Sequence, residues 1–196
     1  MKIFSKLVAS VLLLFGMATG HAVSQTDVPS AETDPVLIFN KVCYSQLPEL
    51  RDIRDMAIGM AWEAMGGEDL KRFTQVENPA VLEGWDVRID KRIYRLGIIQ
   101  NPAEGKLAEN YPDFAEGTIT GCTLVLDGSD DADIVLERMN LLARKDPVSE
   151  KVAEGDLFTT TWAGGNEDFK VFLFYKSDAE NKANMINVTI LSKEKP

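Results

Sequence analysis

The thiols and the imidazole are the side chains from which chemistry is most readily built, and this chain has few of either. It holds two cysteines, Cys43 and Cys122, and one histidine, His21. Ser-His-Asp and Cys-His catalysis both need an imidazole base. Catalytic zinc sites usually draw on histidine, and a structural zinc site built from cysteine alone takes four thiols. His21 lies in an N-terminal stretch with the features of a cleaved signal, so the folded domain is expected to hold no histidine. An enzyme built from the remainder would have to work with carboxylates, lysine, tyrosine or hydroxyls. In an oxidising compartment the two cysteines are most simply one disulfide. Closing a loop of about 80 residues stabilises the fold by roughly 4.5 kcal/mol on the chain-entropy account. The rival arrangement, two separate thiols with one reactive, would lack the cationic neighbour that usually generates a thiolate.

Other candidate chemistry is more diffuse. Glu83, Asp86, Glu167 and Asp168 could supply a carboxylate pair of the glycosidase kind, although a chain with 31 acidic residues offers such pairs by chance. Residues 127–133 (Asp-Gly-Ser-Asp-Asp-Ala-Asp) suggest a calcium loop. The EF-hand pattern fails there: Ala132 stands where glycine is needed and Arg138 where the bidentate glutamate belongs. Acidic residues opening a helix explain the same stretch, with Ser129 as cap and the aspartates favoured by the macrodipole. Aromatic side chains that could stack against a ligand are Trp85, Tyr111 and Trp162. Trp162 sits at a strand end beside Gly164 and Gly165, and Tyr111 lies in the long connection over residues 101–117. Core packing is the commoner fate of a tryptophan. Asn187-Val188-Thr189 matches the glycosylation triplet but falls within an expected strand, and Gly164-Gly165 lacks the lysine of a phosphate loop.

The elements that must position these residues begin after the signal. Lys2 and Lys6 precede an apolar core over residues 7–18, and Gly20 and Ala22 stand at the spacing that signal peptidase prefers. Residues 1–22 are therefore read as a signal peptide and 23–33 as a polar, disordered leader. Residues 34–196 are read as one domain, long enough to bury roughly 70% of its unfolded surface. Removal of the signal leaves 19 basic against 31 acidic residues, a net charge of −12 where the whole chain carries −10. Such a protein repels nucleic acid and anionic lipid; a basic partner suits it, though the charge also serves solubility alone.

Asp34-Pro35 caps a helix to about residue 45 that carries Cys43 on its inward face. A second helix opens at Pro48 with an apolar stripe through Leu50, Ile53, Met56 and Ala57. From residue 57 to 65 it is apolar nearly all round and is expected to be covered. Strands follow over residues 84–89 and 92–100, joined at Asp90-Lys91, and then over 118–126, which contains Cys122. A helix over 129–144 presents Ile134, Val135, Met139 and Leu142. Strands over 155–163, 169–176 and 184–191 form a closing meander, and the run Phe169–Tyr175, apolar on both faces in its second half, belongs inside the sheet. The fold class is α+β: N-terminal helices and one later helix on a largely antiparallel sheet of about six strands.

These readings point to a soluble periplasmic or secreted protein without membrane insertion after signal cleavage. It needs no cofactor and binds a protein or small ligand, as an envelope accessory factor or inhibitor; the alternative is a carboxylate-dependent hydrolase. A direct check of the cysteine assignment is alkylation of the unreduced mature protein in denaturant. No labelled cysteine is expected; two labelled cysteines would refute the bridge.

Overall fold

A computed structural model describes residues 34–193, apart from 75 and 90 and the side chain of Leu107. The expected signal peptide and leader lie outside the described residues, as does one residue of the Asp90-Lys91 turn. Asp34 and Pro35 start the chain's order as their types require. Asp34 Oδ1 accepts from the Val36 amide at 3.0 Å, and proline fills the first position of α1 (Pro35–Phe39). The helix widens to a π turn over Asn40–Tyr44, and Val36, Phe39, Val42 and Cys43 point inward, all under 4% exposed.

α2 (Leu50–Gly59) buries Leu50, Ile53 and Ala57 but stops six residues short of residue 65, to which the helical apolar run extends. Gly59 is a poor helix former, Ala61 takes a left-handed φ of 52°, and the chain turns into a two-residue strand, β1 (Glu63–Ala64). The apolar stretch is thus divided between helix end and sheet edge. Ile58 and Met60, expected to be covered, stand 77% and 60% exposed.

The strands are β2 (Val81–Ile89), β3 (Arg92–Pro102), β4 (Thr118–Val125), β5 (Ser149–Glu154), β6 (Leu157–Gly165), β7 (Phe169–Asp178) and β8 (Ala183–Ser192). With β1 they make one antiparallel sheet of eight strands in the order β1-β2-β3-β4-β8-β7-β6-β5. That corrects the expected six. The two unforeseen strands are the edges. β1 is too short to show a period, and β5 is polar, exposed and bulged at Lys151, whose φ is 48°. Charge and bulge at an edge discourage pairing with another chain. The strand order repeats itself: a helical segment and four meandering strands, then α4 (Ala132–Ala143) and four more, with β4 and β8 side by side at the middle. No internal repeat is legible in the residues, because each half needs only alternating apolar positions and not particular ones.

All the longer helices lie on one face. Cys43 is bonded to Cys122 across 79 residues, with Cα atoms 5.5 Å apart, so the π turn is fastened to the central strand. α4 covers the second half: Trp162 donates its indole N–H to Asn140 (3.1 Å) and the Tyr175 hydroxyl donates to the Ala132 carbonyl (2.9 Å). Its cap is Asp131, not Ser129; Asp131 Oδ1 accepts from the amides of Asp133 and Ile134, while Ser129 is held by Asp127. Val135 and Met139 face inward as expected, but the buried stripe runs through Leu136, and Ile134 is 46% exposed. The Asp34 carboxylate, 6% exposed, pairs with Arg138 and ties α1 to α4.

A second buried acid, Asp130, binds Arg92 at 2.5 Å, and Arg92 also donates to the Tyr94 hydroxyl at 3.0 Å. The other Asp130 oxygen is buried without a partner. Burial raises the Asp130 pKa, against the opposing hydrogen bond from Arg92. The folded chain then holds more protons than the unfolded one between the ordinary carboxylate value, about 4, and the raised one. Stability therefore falls as pH climbs through that window. Urea unfolding of wild type and Asp130→Asn from about pH 4 to about pH 7 should show the wild type losing stability relative to the variant as pH rises. A constant difference would show that Asp130 does not carry this linkage.

Candidate ligand-binding face

The sheet's second face has no layer of long helices among the described residues. A 3-10 helix (Gly67–Phe73) lies over β2 and β3, where glycine makes room for it. A Cβ on Gly97 would come within 2.3 Å of the Phe73 ring, and one on Gly84 within 2.9 Å of Leu70. At the other end α3 (Gly105–Asn110) and a 3-10 turn (Pro112–Phe114) occupy the connection after β3. Phe114 packs there with Ala103 and Leu191, and Tyr111 and Ile119 lean on them.

Between these two covers the strands present two transverse rows. Register places Ile99, Gly121, Thr189, Phe172 and Ala163 in one row and Gly97, Thr123, Asn187, Phe174 and Thr161 in the next. Phe172 and Phe174 are half-buried and stack at 6.5 Å, 25° between planes; Tyr111 meets Phe172 at 5.6 Å and 60°. The three rings form a strip. Beside it, at the β4–β8 seam, Asn187 donates to Thr123 Oγ1 (2.7 Å) and to the Cys122 carbonyl (3.3 Å), and Thr189 donates back to Asn187 (3.0 Å). An aromatic strip next to amide and hydroxyl groups recognises by stacking and hydrogen bonding.

Charges at the margins of this face are mostly paired. Lys176 meets Glu154 at 2.7 Å and holds the glutamate below its ordinary range, and Arg95 lies 3.8 Å from Asp86. Beyond Tyr111 a depression of about 430 Å³ is lined by Phe114, Glu167, Lys170 and Lys193, and both lysine ammonium groups lie over the Phe114 ring at 5.5–5.8 Å.

The three aromatic residues singled out from sequence do not form one site. Trp162 is wholly buried under α4, and Trp85 is half-buried on the helix-covered side against the main core. Only Tyr111 belongs to the open face. Asn187 enters the sequence reading only in a glycosylation triplet. Phe172 and Phe174 are not among its candidates, although the run Phe169–Tyr175 is apolar on both faces in its second half. Such a run denotes burial on two faces when both are covered; here one is not.

The candidate acids are dispersed as well. β2 sends Glu83 and Asp86 to opposite faces. Glu83 is bound in bidentate fashion by Arg54 at 2.8–3.1 Å, while Glu167 and Asp168 sit in the exposed β6–β7 turn. Among the described residues no three His, Cys, Asp or Glu side chains are grouped to hold a metal ion, and Asp127 and Asp131 are engaged in local caps. No described helix is long and apolar enough to cross a membrane. Comparison with known proteins finds no matching family model, no similar curated protein and no similar solved structure.

Gly97→Ala tests the close approach of Phe73. Driving the ring off the backbone should cost about 1–3 kcal/mol of stability, read from urea unfolding; an unchanged midpoint would mean that Phe73 does not rest there.

Proposed function

We propose that this protein is a periplasmic or secreted, non-enzymatic binding protein, an envelope accessory factor or an inhibitor, that takes a segment of a partner protein across its open sheet face. The carrying observation is the half-exposed strip Tyr111–Phe172–Phe174 beside the Thr123–Asn187–Thr189 cluster. Aromatic rings in a partly dry setting give large contact area at low conformational cost, and the amide and hydroxyls fix orientation. The acidic balance of the chain adds long-range attraction for basic residues flanking such a segment. The disulfide suits an oxidising compartment.

The alternative, a carboxylate-dependent hydrolase, requires two carboxyl groups about 5–9.5 Å apart across a cleft. Glu83 and Asp86, on opposite faces of β2 and each beside an arginine, do not supply that arrangement.

Panning a displayed peptide library on the wild type and on F172A/F174A tests the proposal. Enrichment on the wild type that falls at least tenfold on the double variant, and weakens with salt for basic peptides, is expected. Equal enrichment on both would overturn the face as the site. Glycan-dependent thermal shifts with slow glycan hydrolysis would turn the reading toward the enzyme.

A further inference from the structure

The helix-covered side of the sheet holds a second feature, independent of the open face. Between α1 with its π turn and the last turns of α4 runs a cleft of about 790 Å³, well within the range of small-molecule sites. Its lips are Leu37 and Leu141, 47% and 71% exposed. Tyr44 and Leu142 line the interior, and Arg138 and Arg144 stand on the α4 side. Tyr44 and Ala143 also wall a smaller depression of about 300 Å³, floored by Trp162 and bounded by Lys145.

The charge of this region runs against that of the chain. Three cations, Arg138, Arg144 and Lys145, line the two depressions, and the single acid among the lining residues, Asp34, is already paired with Arg138. The local balance is positive in a chain whose net charge is −10. Two exposed leucines on the rim of one cleft leave adjoining apolar surface unburied, the kind of patch that marks a binding groove when charged groups border it. Arg144 and Lys145 complement the carboxyl end of α4, but the leucines have no such use. Apolar walls with cations gathered at one side fit a molecule that is itself an alkyl chain with an anionic head.

The geometry points to this cleft as a binding site for a single-chain amphiphilic anion, a fatty carboxylate or an alkyl phosphate. The alkyl chain lies between Leu37 and Leu141, and the head meets Arg144, with Lys145, whose ammonium donates to the Ala163 carbonyl, beside it at the edge of the adjoining depression. Arg138 stays on Asp34 and shapes the wall. The two anions share this chemistry, and the test separates them.

Full-length mature protein is titrated with dodecanoate, with dodecyl phosphate and with dodecanol, each below its micelle concentration, by calorimetry with native mass spectrometry for stoichiometry. One saturable equivalent of at least one anion is expected, with dodecanol at least tenfold weaker. Leu141→Asp and the pair R144Q/K145Q should each weaken the anion at least tenfold while leaving the ligand-free melting temperature within about 2 °C. All three positions are exposed in the fold, so these variants should fold. Tighter dodecanoate assigns a free fatty acid and tighter dodecyl phosphate a phosphate head; either supports the site. Absence of saturable uptake of both anions, equal binding of dodecanol, or indifference to both variants would overturn it. Those results are separate from peptide binding by F172A/F174A on the opposite face.

Discussion

The pairing of β4 with β8 is the constraint on which the rest of the structure depends. It joins two four-stranded halves that meet nowhere else in the sheet, through eight registered residue pairs from Thr118–Ser192 to Val125–Met185. The same seam carries both of the molecule's faces. On one side Cys122 and Leu124 stand opposite Val188 and Ile186, all fully buried, and Cys122 holds the π turn. On the other side the buried Thr123 and the half-buried Asn187 and Thr189 share hydrogen bonds. Period-two alternation does this automatically: adjacent residues of one strand serve opposite faces. Because β4 packs so fully on one side and stays small on the other, the sheet can be covered once and left open once.

The covering layer is assembled from short pieces, and its joints are polar. A five-residue α-helix does not hold itself in water; α1 persists because proline and Asp34 start it, the disulfide fixes its continuation and Arg138 grips its cap. Buried ion pairs of this kind seldom add net stability, since desolvation offsets the attraction. They do restrict which helix lies against which. Asp34–Arg138 joins α1 to α4 and Asp130–Arg92 joins the entry of α4 to β3, so the three segments have one mutual arrangement. The cleft that Leu37 and Leu141 line lies between α1 and α4 in that arrangement.

Much of the architecture was legible in the residues because local chemistry chose it. Asp34-Pro35 made a helix start, alternation at Tyr94, Leu96 and Ile98 made a strand with those three side chains inward, and a two-cysteine chain made one bridge. The failures share a cause. The apolar stretch after Ala57 satisfies a helical period as well as a turn and an edge strand, and only the hydrogen bonds waiting on β2 at Asp86 and Trp85 decide between them. β5 carries no pattern at all and is a strand because β6 offers it an edge. Ser129 and Asp131 are both good caps, and packing of α4 on the sheet, not its cap, put Leu136 in the core and left Ile134 at the surface.

By itself the sequence determined the elements with strong local signals and the absence of histidine from residues 34–196, which by themselves cannot build an imidazole-based site, whatever their fold. Which aromatic residues lie on the uncovered side of the sheet was settled only in three dimensions. Trp162 looks like the best stacking platform in the chain and is sealed beneath α4, whereas Phe172 and Phe174 look like core and lie on the side that no long helix among the described residues reaches. The pattern of a strand records that two faces are apolar; it does not record whether anything covers them. That depends on where α4 crosses, which its bonds to Trp162 and Tyr175 hold, and on the β4–β8 seam, whose paired residues stand 60–74 positions apart.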